Sequence, residues 1–203
     1  MEDSENIETS PGPSYLPPEP PSRKRLLIPV GVILLVVVAS LMSIKASFQR
    51  DIRSAHERIE LTEGSSIPNL ELTRIDESKI RLGDLPHKVM LINFWATWCE
   101  ACMEEMPSLV QLREKFVSRG FEILGVNVDE NPVPLAVNTA KKLGITFPVF
   151  TDKNGSLGNQ FDLNAIPLTV VIDKNRKILM VEAGGREWNT DDVHQLLEKW
   201  LAE

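Results

Sequence analysis

The chain has 203 residues, with 22 Lys and Arg against 29 Asp and Glu, and a net charge of −7. Beyond residue 45 the balance is 18 basic (22 less Arg23, Lys24, Arg25 and Lys45) to 24 acidic (29 less five in the first 22 residues), a net of −6, which argues against nucleic-acid binding through a basic patch. Hydrophobic residues make up 42% of the chain, enough for a proper core in one domain.

Residues 1–22 hold five acidic residues, no basic ones and six prolines. Such a composition buries too little apolar surface to offset its ordering entropy, so 1–25 reads as a disordered acidic, Pro-rich tail with a basic flank. Arg23-Lys24-Arg25 precede an uncharged run over 26–44. At about 1.5 Å per residue it just spans a hydrocarbon core of roughly 30 Å, and Pro29 falls in the tolerated first turn. The rival is a cleaved signal peptide, but Ile44-Lys45-Ala46 is a poor cleavage site. A single transmembrane anchor is the expectation. Lys45, Arg50, Arg53 and Arg58 on the far side leave the charge rule for orientation close to a tie.

Residues 45–63 carry Phe48, Ile52, Ala55 and Ile59 at helical spacing and read as a stalk. The domain proper is expected over 64–203. Leu70 to Arg74 and Lys79 to Leu82, around Asp76-Glu77, predict a β-hairpin. Val89 to Trp95 is apolar and partly β-branched apart from Asn93, the pattern of a strand buried on both faces. From Cys99 the period becomes helical, with Met106, Leu109, Leu112 and Phe116 on one stripe and Gly120 as the stop. Phe121 to Val128 predicts a second buried strand. Asn131-Pro132 opens a helix with Leu135, Ala136, Ala140 and Leu143 on one face, closed by Gly144. That order makes the neighbouring strands parallel. Pro148 to Phe150 follows as a short strand, then a turn at Asp152-Lys153-Asn154-Gly155. Leu168 to Ile172 and Ile178 to Val181 form a second hairpin. Asn189 or Thr190 caps a final helix with Val193, Leu196, Leu197, Trp200 and Leu201 facing the sheet.

The chain's two cysteines, Cys99 and Cys102, stand where strand becomes helix. Residues i and i+3 of a helix lie about 5 Å apart at Cα, near disulfide range, and the helix N-terminus stabilises a thiolate. A purely structural disulfide is a weak alternative, because closing so small a loop contributes only about 1.9 kcal/mol. A zinc site needs two more ligands, and His56, His87 and His194 lack metal-like spacing. An inert buried pair gains nothing from a helix N-terminus. Redox chemistry is the leading reading, and no metal or other cofactor is expected.

The stretch Leu91 to Cys102, with Pro107 five residues on, resembles the active-site segment of the thioredoxin superfamily, and more narrowly the membrane-anchored TlpA/ResA-like thiol-disulfide oxidoreductases. The resemblance runs from about Ile67 to the C-terminus. It includes Val126-Asn127-Val128-Asp129-Glu130, Phe147-Pro148-Val149 and Ile166-Pro167-Leu168-Thr169. It implies an α/β thioredoxin fold, a central mixed sheet flanked by helices, with the first hairpin as an N-terminal addition. It implies a cis bond at Ile166-Pro167 facing the cysteines, and a kink at Pro107. Cys99 is the expected attacking thiolate and Cys102 the resolving thiol. Glu105, one turn past Cys102, is the expected acid, since Asn93 stands where many thioredoxins have Asp; a solvated Glu105 is the plain alternative. Trp98, Glu100, Ile166 and Pro167 are the expected substrate contacts, with Trp95 more buried than Trp98. Ala101 departs from the Pro common between such cysteines.

The resulting expectation is a membrane-tethered reductant of extracytoplasmic protein disulfides. Its tail lies in the cytoplasm and its domain is periplasmic, where two thiols without a third suit an oxidising space. The resemblance implies cytochrome c maturation, with apocytochrome c as substrate and an upstream membrane thiol reductant as donor. The alternatives are a copper-site assembly factor or a Cu(I)-binding chaperone using the two thiolates. Against the chaperone, the chain has neither Cys-x-x-x-Cys spacing nor a well-placed His, and no peroxiredoxin-type Pro-x-x-x-Thr-x-x-Cys occurs. Glu100 disfavours a second negative charge beside Cys99, so the couple is expected to be reducing.

Overall fold

The computed structural model describes residues 30–56 and 58–203, without the side chains of 30 and 46–56. The expected tail over 1–25 and the first four residues of the expected anchor lie outside the described residues. The chain divides into units at 1–49 and 50–203.

Helix α1 (Val30–His56) begins inside the expected anchor and continues to the end of its range without a break. Among the described residues no helix is long and apolar enough to cross a membrane. The expected anchor over 26–44 lies only in part within the described residues, which take it up from Val30. Its large apolar side chains are exposed, Leu35 at 70% and Met42 at 69%.

The second unit is built on one seven-stranded mixed sheet in the order β2-β1-β5-β4-β3-β6-β7. Its strands are β1 (Glu71–Arg74), β2 (Lys79–Arg81), β3 (Val89–Trp95), β4 (Phe121–Asn127), β5 (Val149–Thr151), β6 (Leu168–Asp173) and β7 (Ile178–Ala183). The fully buried β3, apolar but for Asn93, lies inside the sheet beside the central β4, parallel to β4 and antiparallel to β6. The β4–β5 pair is also parallel, as helical crossovers require. The β1–β2 hairpin joins antiparallel to β5, so it extends one edge of the sheet rather than flanking the central strand.

The helices are α2 (Glu100–Phe116), α3 (Pro132–Leu143), α4 (Ser156–Gln160) and α5 (Asp191–Ala202). Alternation along β3 divides the core. Val89, Leu91 and Trp95 pack with α2 and α5; Met90, Ile92 and Phe94 pack with Leu72, Phe150 and Phe161 on the other face. Asn93 falls in the first set by parity, so its amide lies on the α2 side.

Several expectations shift. Ile59, assigned to the stalk, is 7% exposed in the core, and its N–H bonds to the Gln160 carbonyl at 2.7 Å. The packed domain thus begins before residue 64. Leu135 and Leu196 are exposed rather than core-facing, because α3 and α5 each turn a narrower stripe inward: Ala136, and Val193, Leu197 and Leu201. The turn after β5 leads into the short α4, whose first N–H groups are taken up by the Asp152 carboxylate, accepting from Leu157 at 3.0 Å and Gly158 at 2.7 Å.

Gly125 in β4 marks the tightest approach beneath the site. A Cβ there would stand 2.8 Å from Phe147 Cε2 and 3.2 Å from Trp95 Nε1. Gly125→Ala should therefore overpack the core and cost about 1–3 kcal/mol. The expected result is a lower urea midpoint at unchanged m-value; an unchanged midpoint would mean that Phe147 yields without strain.

Candidate functional site

The turn from β3 into α2 presents the cysteines. Cys99 is the N-cap of α2, with extended backbone (φ −88°, ψ 104°), and the Cys102 N–H points at its sulfur at 3.2 Å. This is the cap arrangement of a Ser or Asp with sulfur in the oxygen's place. Cys99 and Cys102 form a disulfide with Cα atoms 5.2 Å apart. Cys99 is 7% exposed and Cys102 0%, so the first sulfur is the one substrate can reach.

The preceding turn is pinned by a residue that sequence reasoning did not single out. Buried Asp129, just past β4, accepts from the Thr97 N–H at 3.1 Å and the Thr97 hydroxyl at 3.2 Å. Asn127 Nδ2 donates to its other oxygen at 2.9 Å. Asp129 lies within one of the stretches that carried the resemblance, which was the available signal. With Thr97 held, Trp98 stands out at 72% exposure while Trp95 is fully buried. Glu100 is exposed in the first turn of α2.

Opposite the cysteines, Ile166-Pro167 is a cis peptide, and the Ile166 carbonyl oxygen lies 3.8 Å from Cys99 Sγ. The Pro167 carbonyl accepts from the Gly184 N–H at 2.9 Å, tying this corner to the end of β7. Trp98, Cys99 and Ile166 thus frame one accessible patch of backbone and indole around a disulfide.

Glu105 lies under that patch and is buried, not solvated, at 2% exposure. Asn93 Nδ2 donates to its Oε1 at 2.8 Å and to Thr169 Oγ1 at 3.0 Å; Asn93 and Thr169 are cross-strand partners in the β3–β6 ladder. Its Oε2 accepts from Trp188 Nε1 at 2.9 Å and from the Arg186 N–H at 3.4 Å. Burial pushes the Glu105 carboxyl above the ordinary carboxylate range, and Glu182 adds to that. The donors Trp188, Asn93 and Arg186 pull it back only in part. Trp188 and Thr169 had no assigned role in the sequence reading. Trp188 sits 83 residues from Glu105, and no local pattern reports such a contact. Among the described residues no group of three or more His, Cys, Asp or Glu is arranged to hold a metal ion.

The family model described as Redoxin matches residues 62–198. Thiol-disulfide oxidoreductase ResA of Bacillus subtilis (strain 168) is 32% identical over 162 residues, covering 80% of this chain and 87% of the relative. Thiol-disulfide oxidoreductase ResA of Geobacillus thermodenitrificans (strain NG80-2) is 32% identical over 176 residues, covering 87% and 96%. Among solved structures, a putative thiol:disulfide interchange protein DsbE from Chlorobium tepidum superposes with a TM-score of 0.63 at 25% identity, covering 70% of this chain and 99% of that one. With the disulfide at the helix N-terminus and the sheet order around it, these likenesses settle the assignment. The chain belongs to the Redoxin family, within the thioredoxin superfamily, and is a TlpA/ResA-like thiol-disulfide oxidoreductase.

Proposed function

We propose that the protein is a membrane-tethered reductant of extracytoplasmic protein disulfides, with apocytochrome c as substrate in cytochrome c maturation. The observation that carries the reductase reading is the pairing of one accessible and one sheltered cysteine at the N-terminus of α2. In the reduced protein, the Cys99 thiolate attacks a substrate disulfide, forming a mixed disulfide and releasing one substrate thiolate. Cys102 then loses its proton to Glu105 and attacks Cys99 Sγ. The Cys99–Cys102 disulfide forms, and the second substrate thiolate leaves with the remaining electrons of the two-electron transfer. A carboxyl held above its ordinary range suits this role, because a base works best with its pKa near the working pH. Trp98 and Glu100 border the substrate, and the Ile166 backbone beside Pro167 pairs with an extended segment of it. A membrane dithiol restores the reduced form.

The tether is assigned to 26–44. Its support is the basic cluster before it and the exposed apolar side chains of α1, which have no partner within the described residues. The tail then lies in the cytoplasm and the domain in the periplasm. A reporter active only outside the cytoplasm should give signal when fused after Glu203 and none at the N-terminus. The opposite pattern would overturn the localisation.

Cys99→Ser should abolish disulfide exchange, whereas Cys102→Ala should accumulate mixed disulfides through Cys99. Non-reducing electrophoresis with mass spectrometry reads both and identifies the trapped substrates. First alkylation at Cys102 in the reduced protein would reverse the assignment.

The helix N-terminus favours the Cys99 thiolate, but Glu100 beside it opposes a second negative charge. The couple should therefore equilibrate with glutathione near the about −270 mV of reducing thioredoxins, and a value near the about −120 mV of strong disulfide donors would exclude a reductant. A copper-binding chaperone would instead reveal itself by stoichiometric Cu(I) uptake in titration of the reduced protein.

A further inference from the structure

After β7 the chain runs back along one face of α2. Gly185 lies against Ala101, the residue preceding Cys102: a Cβ at Gly185 would stand 3.0 Å from the Ala101 carbonyl oxygen. One turn on, Arg186 N–H and Trp188 Nε1 both reach Glu105 Oε2. A turn further, the Trp188 N–H donates to Ser108 Oγ at 3.0 Å, and that hydroxyl donates to the Glu105 carbonyl at 2.8 Å. Residues 101, 105 and 108 share one helical face. Trp188 is fully buried, with the Arg186 guanidinium 5.2 Å from its ring, and Arg186 pairs with Glu182 at 3.1 Å and Asp192 at 2.9 Å. The indole is thus held by packing on one side and by an anchored cation on the other.

The two oxygens of Glu105 are not equivalent. Oε2 faces two groups that can only donate, an indole N–H and a backbone N–H. A proton on Oε2 would meet them head-on. Oε1 faces Asn93, an amide with both donor and acceptor, whose Oδ1 has no partner among the described residues. Rotating that amide by half a turn brings Oδ1 to face Oε1, where it can accept a hydrogen bond from a protonated Oε1. We propose that Trp188 is a positioning residue for the dithiol reaction: its indole N–H directs the exchangeable proton of Glu105 onto Oε1, shared with Asn93, and holds the carboxyl in its ionised form. The inference rests on the reading of Glu105 as the proton acceptor for Cys102. The charged groups facing Glu105 are Glu182 of β7 and Arg186 beyond it; Asp192 of α5 is taken up by Arg186. From β3 it meets the neutral Asn93, whose amide also bonds the Thr169 hydroxyl of β6, and α2 carries Cys102 and the exposed Glu100 and Glu104, with Cys99 as its N-cap.

Trp188→Phe keeps the ring and removes the N–H. A hydrogen bond to a charged group is lost, so the proton affinity of Glu105 should rise roughly tenfold. In the full-length protein, carbon-13 NMR of the Glu105 carboxyl should show titration moved to higher pH. The acidic limb of the rate of reduction of a disulfide-bonded peptide should move the same way. In a Glu105→Gln background, Trp188→Phe should leave that limb unmoved. In the unsubstituted protein, one of the four indole N–H signals should follow the Glu105 titration and lose its pH dependence in Glu105→Gln; this readout stands if Trp188→Phe fails to fold. An unchanged Glu105 titration in Trp188→Phe, an equal shift of the limb in the Gln background, or four pH-independent indoles would overturn the proposal. A moved titration with an unmoved rate profile would uphold the hold of Trp188 on Glu105 and discard the proton-acceptor role.

Discussion

The contact between the Cys102 amide and the Cys99 sulfur joins two requirements that pull in opposite directions. A helix N-terminus needs an acceptor for its free N–H groups, and a redox dithiol needs one sulfur near solvent and the other out of it. Using cysteine as the N-cap meets both. The cap position is the last residue outside the helix, so it is the less covered; three residues later the chain is already under its neighbours. The rest of the fold serves to hold that junction. β3 is buried on both faces, which fixes where the helix starts, and Asp129 ties down the turn between them.

Burial of Glu105 is the second constraint. Placing a carboxyl one turn beneath a disulfide costs free energy unless its lone pairs are met, and here three donors, one from β3 and two from the segment after β7, meet it. The compensation is incomplete, as its raised proton affinity shows. Asn93 in place of an acid is part of the same arrangement. Two carboxyls at that distance could not both ionise, whereas an amide can turn to suit either protonation state of its neighbour.

The covering corners have different physical natures. On the Ile166 side, backbone faces the accessible sulfur, which suits recognition of any extended polypeptide rather than of particular side chains. On the Gly185 side, the chain is pressed against Ala101 closely enough that a methyl group there would need its neighbour to shift. Between these corners the rim is open, and Trp98 and Glu100 are exposed there.

The motif around Cys99 and Cys102, the order of the strands and longer helices, and the contrast of buried Trp95 with exposed Trp98 were legible in the sequence because each is local. A strand-to-helix change of period, a cap position and a glycine stop involve neighbours within a turn or two. The same local logic misled at Ile59, whose helical spacing with Phe48 and Ile52 suggested a stalk. Its bond to Gln160 and its place in the core are contacts across a hundred residues. Leu135 and Leu196 failed for a related reason: periodicity names a stripe, but the curvature of the neighbouring layer decides how wide a stripe is covered. Glu105 was visible as a candidate from its spacing to Cys102, yet its burial was not. Asn93 reaches it from β3 and Arg186 and Trp188 from the segment after β7, and only tertiary packing brings donors so far apart in the chain onto one carboxyl.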